Sequence, residues 1–194
     1  MEIPDLGKFE PPSKMAPDWN AIETAADRLV AADMPVVLTD QVGNSRNAVE
    51  SLIGLAELLG APVVDSRRRR YNFPNTHPLD LTGTEVYRDA DGVLALDIWS
   101  LNYRLKNVDR VRNELTEAID GEFDLINVGP HELGASSLTA DYYALRETEI
   151  PRLADTEHAI PVLVDVVEER LAATPSRRRA CEKRFDELKA KHEA

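Results

Sequence analysis

Apolar positions recur along the chain in two periods. Ile22, Ala25, Ala26, Leu29 and Val30 fall at helical spacing behind Asp18, which predicts a capped helix over about 19–32. The run Pro35-Val36-Val37-Leu38-Thr39 is short and continuously apolar, the mark of a strand buried on both faces. Ala48, Leu52, Leu55, Ala56 and Leu59 return to helical spacing, with Asn44 as the expected cap and Gly60 as the stop. Pro62-Val63-Val64-Asp65 is a second buried strand. Strand, helix and strand at this spacing make a βαβ unit, hence parallel strands and a right-handed crossover.

Residues 66–92 carry a basic run, prolines and Asp91-Gly92, and read mostly as loop. Gly92 to Ile98 is the next predicted strand, a helix is expected over about 108–119, and Phe123 to Val128 is a strand stopped by Gly129-Pro130. A short strand is expected within 147–153. Thr156 is then expected to cap a helix running to Leu171, with Pro161 in an awkward position for it. Residues 1–17, with Pro4, Pro11, Pro12 and Pro17, predict an extended arm or linker, and 174–194 a charged helix or linker. Between them, 18–173 predicts one α/β domain of the doubly wound, mainly parallel, Rossmann-like kind.

Bulk properties narrow the partners. The 194 residues suffice for one domain with a sizeable core. A net charge of −12 argues against nucleic acid and anionic membrane surfaces as partners. One cysteine, Cys181, cannot form an internal disulfide, which fits a reducing compartment. The start Met1-Glu2-Ile3-Pro4-Asp5 lacks the features of a signal peptide, and no apolar run is long enough to span a bilayer. A cytoplasmic location is the expectation. The four histidines show no metal-ligand spacing.

Six phrases, in order, resemble one family. They are Ala31-Ala32-Asp33-Met34-Pro35-Val36-Val37-Leu38, Ala56-Glu57-Leu58-Leu59-Gly60-Ala61-Pro62-Val63-Val64, Phe73-Pro74-Asn75-Thr76-His77-Pro78-Leu79, Ala90-Asp91-Gly92-Val93-Leu94-Ala95-Leu96, Asn127-Val128-Gly129-Pro130-His131-Glu132-Leu133-Gly134 and Ala154-Asp155-Thr156. Together they resemble the central domain of thiamine-diphosphate-dependent enzymes of the acetolactate-synthase type. The resemblance implies a parent enzyme that makes or breaks carbon–carbon bonds at 2-oxo acids. It also implies two outer domains that hold thiamine diphosphate and Mg²⁺ across a dimer interface, one through a Gly-Asp-Gly motif. No Gly-Asp-Gly occurs in this sequence. The expected role is therefore structural and catalytically silent in isolation. The expected partners are the remaining domains or subunits, in a homo-oligomer.

Rival readings are a free-standing module for ADP, CoA or FAD, and a separate subunit of a split enzyme. Four places carry the ligand question. The loop at Gly43 and Asn44 leads into a helix, where free N–H groups can hold phosphate, although one glycine before a cap is more often a turn. Arg67 and Arg68 open a four-arginine run at a strand's carboxyl end, suited to phosphate or to plain ion pairing. Glu132 and Asp155 occupy positions near the adenosine in nucleotide-binding relatives, and either could equally be a capping carboxylate. Asp97 to Asn102 departs from the stretch found in flavin-binding relatives, and 81–90 is short beside theirs. Both count against FAD, and Trp99 reads as a surface for another domain or subunit. Arg177, Arg178 and Arg179 read as a solvated helix face.

Overall fold

The computed structural model describes residues 13–65, 71–109, 111–112, 114–130, 146–148, 150–152 and 154–192. Helix α1 spans Trp19–Ala31, and Asp18 caps it by accepting from the Asn20 N–H at 3.0 Å. Strand β1, Pro35–Thr39, is buried along its whole length. A 3₁₀ turn, Val42–Asn44, leads to helix α2, Arg46–Leu59. Its cap is Ser45, one residue beyond the expected Asn44, because the Ser45 hydroxyl accepts from Ala48 N–H. Gly60 ends α2 in the left-handed region at φ 56°.

Strands β2 (Val63–Asp65), β3 (Gly92–Leu96), β6 (Asp124–Val128) and β7 (Ile150–Arg152) join β1 in one parallel sheet of order β2-β1-β3-β6-β7. Helix α4, Thr156–Ala173, follows β7, and helix α5, Pro175–His192, follows α4. The cap of α4 is Asp155, not Thr156, since the Asp155 carboxylate accepts from Glu157 N–H at 3.0 Å. Pro161 is accommodated inside α4. It is the sixth residue of the helix, just past the first turn, where its missing N–H forfeits a single intrahelical bond.

The winding order is that of a doubly wound α/β sheet, since the chain moves from β1 outward to β2 and then returns across β1 to β3. The two faces are dressed differently. Val37, Leu94, Leu96, Ile126 and Val128 point to the face covered by α1, α2 and α4, with Cys181 and Leu188 of α5 closing its edge. Val36, Leu38, Val93, Ala95 and Leu125 point to the other. Among the described residues that face is covered by Ala90, Ile98, Ile119 and a one-turn helix α3, Leu101–Arg104.

The helix expected over 108–119 is instead an antiparallel ribbon, β4 (Lys106–Asp109) with β5 (Glu114–Glu117). Its turn starts at Asp109, whose carboxylate accepts from the N–H groups of Val111 and Arg112 at 2.9 and 3.0 Å, a local bonding pattern that competes with helix. Val111 and Leu115 are exposed, so the apolar spacing there has no core to face.

The resemblance phrase at 73–79 is structural. Phe73 and Leu79 are buried in the larger core, the Phe73 and His77 rings meet edge-on at 4.9 Å, and His77 Nε2 lies 3.2 Å from a Glu57 carboxylate oxygen. Helix α5 is docked rather than free. The Arg184 guanidinium donates to the carbonyls of Gly60 at 3.1 Å, Asp33 at 2.8 Å and Leu59, which leaves the α2 terminus capped by a cation. The arginine triplet at 177–179 is accordingly not all solvated. Arg177 pairs with Asp33 at 2.7 Å, and its hydrogen bond and charge hold the Asp33 carboxyl below the usual range, while Arg178 Nε is buried.

Candidate functional site

In an open parallel sheet the ligand crevice lies beyond the carboxyl ends of the strands, at the point where the winding reverses. Here that point lies between β1 and β3. Each of these strands ends in a buried aspartate, Asp40 after β1 and Asp97 after β3, and β2 ends in a third, Asp65. Parallel pairing sets Thr39 beside both Asp65 and Leu96 and so gathers the three strand ends.

Asn72 ties two of these strand ends together. Its amide nitrogen donates to Asp40 O at 3.0 Å and to Asp65 Oδ1 at 2.9 Å, and its amide oxygen accepts from Gly43 N–H at 2.9 Å. Asp40 also accepts from Trp99 N–H at 3.3 Å and lies 3.8 Å from the Arg104 guanidinium. Asp97 accepts from the Thr156 hydroxyl at 2.6 Å. Burial raises the Asp97 carboxyl to about 6 against the lowering effect of Thr156, with Asp155 and Asp40 pushing the same way as burial. Two residues here take positive φ, Tyr71 at 53° and Asp97 at 51°, so backbone strain clusters at the crevice. Gly129 at φ 156° closes over Asp97, and a Cβ there would sit 2.9 Å from Asp97 Oδ1. On the rim, Tyr71, Trp99 and Tyr103 are exposed.

The predicted site residues are distributed unevenly over this place. Gly43 and Asn44 lie in the 3₁₀ turn beside the crevice. Asp155 caps α4 and contributes its charge to Asp97. Arg67, Arg68 and Glu132 lie outside the described residues. Asp40 opens the candidate loop that runs to Ser45 but was given no role of its own, and Asp65 and Asn72 were missed. Nothing local marks them, because 24 residues of chain lie between Asp40 and Asp65 and only the sheet order joins them.

A second concavity, a cleft of about 690 Å³, is lined by Asp91, Glu117, Glu122, Asp124, Arg146 and Glu147 among others. Its acids are mostly engaged. Asp91 accepts from Asp33 and Met34 N–H groups, Asp124 pairs with Arg28, and Glu117 pairs with Lys106 and Arg146. Among the described residues, no group of three or more His, Cys, Asp or Glu could hold a metal ion, and no helix is long and apolar enough to cross a membrane.

The sheet order and the crevice define a doubly wound, Rossmann-like α/β domain with an acidic switch point. Residues 22–98 match the family described as thiamine pyrophosphate enzyme, central domain. The chain is 33% identical over 113 residues to a sulfoacetaldehyde acetyltransferase of Castellaniella defragrans, covering 46% of this chain and 19% of that protein. It is 28% identical over 163 residues to an acetolactate synthase of Mycobacterium leprae, covering 82% of this chain and 24% of that one.

Among solved structures, a 4-hydroxybenzoylformate decarboxylase of Rhodococcus jostii RHA1 superposes with a TM-score of 0.60 at 18% identity, over 84% of this chain and 31% of that one. A benzoylformate decarboxylase of Polynucleobacter necessarius gives 0.58 at 17% identity, over 86% and 30%. At such identities these two establish the fold. Over residues 22–98 the chain is similar to the central domain of the thiamine pyrophosphate enzymes. It spans about a fifth to a quarter of the length of the curated relatives it matches.

Proposed function

We propose that this chain is the structural central domain of a thiamine-diphosphate-dependent enzyme of the acetolactate-synthase type, which forms or cleaves carbon–carbon bonds at 2-oxo acids. The observation that carries the reading is the central-domain match over 22–98, which runs from the first turn of α1 to the buried switch point after β3. The cofactor supplies a nucleophilic carbon when bound, and this chain's residues do not fit it. The sequence lacks Gly-Asp-Gly, and among the described residues no group of three or more His, Cys, Asp or Glu could hold a metal ion. Thiamine diphosphate and its Mg²⁺ then belong to other domains or subunits, with which this domain assembles in a cytoplasmic homo-oligomer. Its work is to set their spacing, and Trp99 on the crevice rim is a contact for them.

A second reading of the parent chemistry, that of an acetyltransferase acting on sulfoacetaldehyde, is favoured by the name and 33% identity of the Castellaniella relative. Isolation from the native host with an antibody to this chain tests the proposal. The expected product is this sequence bound to, or continuous with, a polypeptide bearing Gly-Asp-Gly and thiamine diphosphate. Assaying that product with pyruvate and with sulfoacetaldehyde separates the two chemistries. Recovery of a 21.6 kDa species without thiamine diphosphate overturns the proposal.

A further inference from the structure

We infer that the phosphate cradle of this fold is closed from within by the Asn72 side chain, which makes Asn72 the residue that turns anionic nucleotides away from the switch point. A loop entering a helix holds phosphate when its consecutive backbone N–H groups are free to converge on it. Here three consecutive donors in the loop are already committed. Gly43 N–H donates to the Asn72 amide oxygen at 2.9 Å, Asn44 N–H to Gln41 O at 3.1 Å, and Ser45 N–H to Val42 O at 3.1 Å. The Ser45 hydroxyl takes a further donor, Ala48 N–H, at the helix end.

The Asn72 amide does at Gly43 what a phosphate oxygen would do. Its orientation is fixed by its partners, because the oxygen faces an N–H while the nitrogen faces two acceptors, Asp40 O and Asp65 Oδ1. Asn72 is fully buried. An anion that displaced it would leave those two acceptors facing phosphate oxygens. It would also enter a crevice already holding the buried carboxyls of Asp40, Asp65 and Asp97, on a chain of net charge −12. A neutral carboxamide supplies the missing acceptor without adding charge. The inference concerns this chain alone and does not depend on the identity of the parent enzyme.

Amide hydrogen exchange and chemical shifts of the purified protein, followed by NMR, test it. The expected result is a protected Gly43 amide that does not move on addition of pyrophosphate, ADP or FAD. In Asn72→Ala, Gly43 should exchange about tenfold faster, the loss of roughly one hydrogen bond, while Val37 in β1 keeps its protection. A freely exchanging Gly43 amide, or a saturable shift across 43–45 with pyrophosphate tighter than about 1 mM, overturns the inference. If the variant also loses protection at Val37, the pyrophosphate titration of the wild-type chain decides the matter.

Discussion

Replacing Asp97 with asparagine should stabilise the protein at neutral pH, and the gain should vanish in acid. The Asp97 carboxyl is 8% exposed and is raised from 3.8 to about 6. A folded-state value above the unfolded one means that the folded chain holds the extra proton between these two pH values. Stability therefore falls as pH rises through that window, and the full penalty stands above about 6. Two units correspond to about 3 kcal/mol. Asparagine removes the titration, keeps an oxygen for the Thr156 hydroxyl and tolerates positive φ as aspartate does. The Thr156 bond is already contained in the raised value, so the gain stands at about 3 kcal/mol at pH 7.5. Urea unfolding of both proteins at several pH values from 4 to 8 reads this as a difference, which cancels the titration of groups not coupled to Asp97. A gap of about 3 kcal/mol at pH 7.5 that closes near pH 4 is the expected result. A gap independent of pH, or a variant less stable at pH 7.5, refutes the reasoning.

Other substitutions separate packing from charge. Gly60→Ala should destabilise by about 2 kcal/mol or more in urea unfolding, because φ is 56° and the new Cβ would lie 2.2 Å from Cys181 O. Arg184→Met should cost about 1–3 kcal/mol and free the α5 amides to exchange ahead of the α2 core, since three carbonyls lose a charged donor. Arg46→Ala should change stability by less than about 0.5 kcal/mol, because the Arg46–Glu50 pair on α2 is exposed at both ends.

The long elements were legible because each carries its own signal. For α1 and α2 the apolar stripe, a polar cap and, in α2, a terminal glycine agree with one another, and β1, β3 and β6 are short apolar runs between turns. The ribbon at 106–117 was not legible as such. Val111, Leu115 and Ile119 fall at helical spacing, yet Val111 and Leu115 are exposed, only Ile119 of these is buried with the core, and Asp109 instead starts a turn. Helix α5 was readable as a charged helix, but its docking was not, because that docking rests on Cys181, Leu188 and one arginine reaching three carbonyls. The crevice was half visible. Gly43 marks a loop entering a helix, whereas the pairing of that loop with Asn72 exists only once β1 and β2 lie side by side.

The most direct test of the central claim is calorimetric titration of the purified 194-residue chain with thiamine diphosphate in the presence of Mg²⁺. A central domain whose cofactor is held by other domains should give no saturable heat. Stoichiometric binding of thiamine diphosphate to this chain alone would contradict the account.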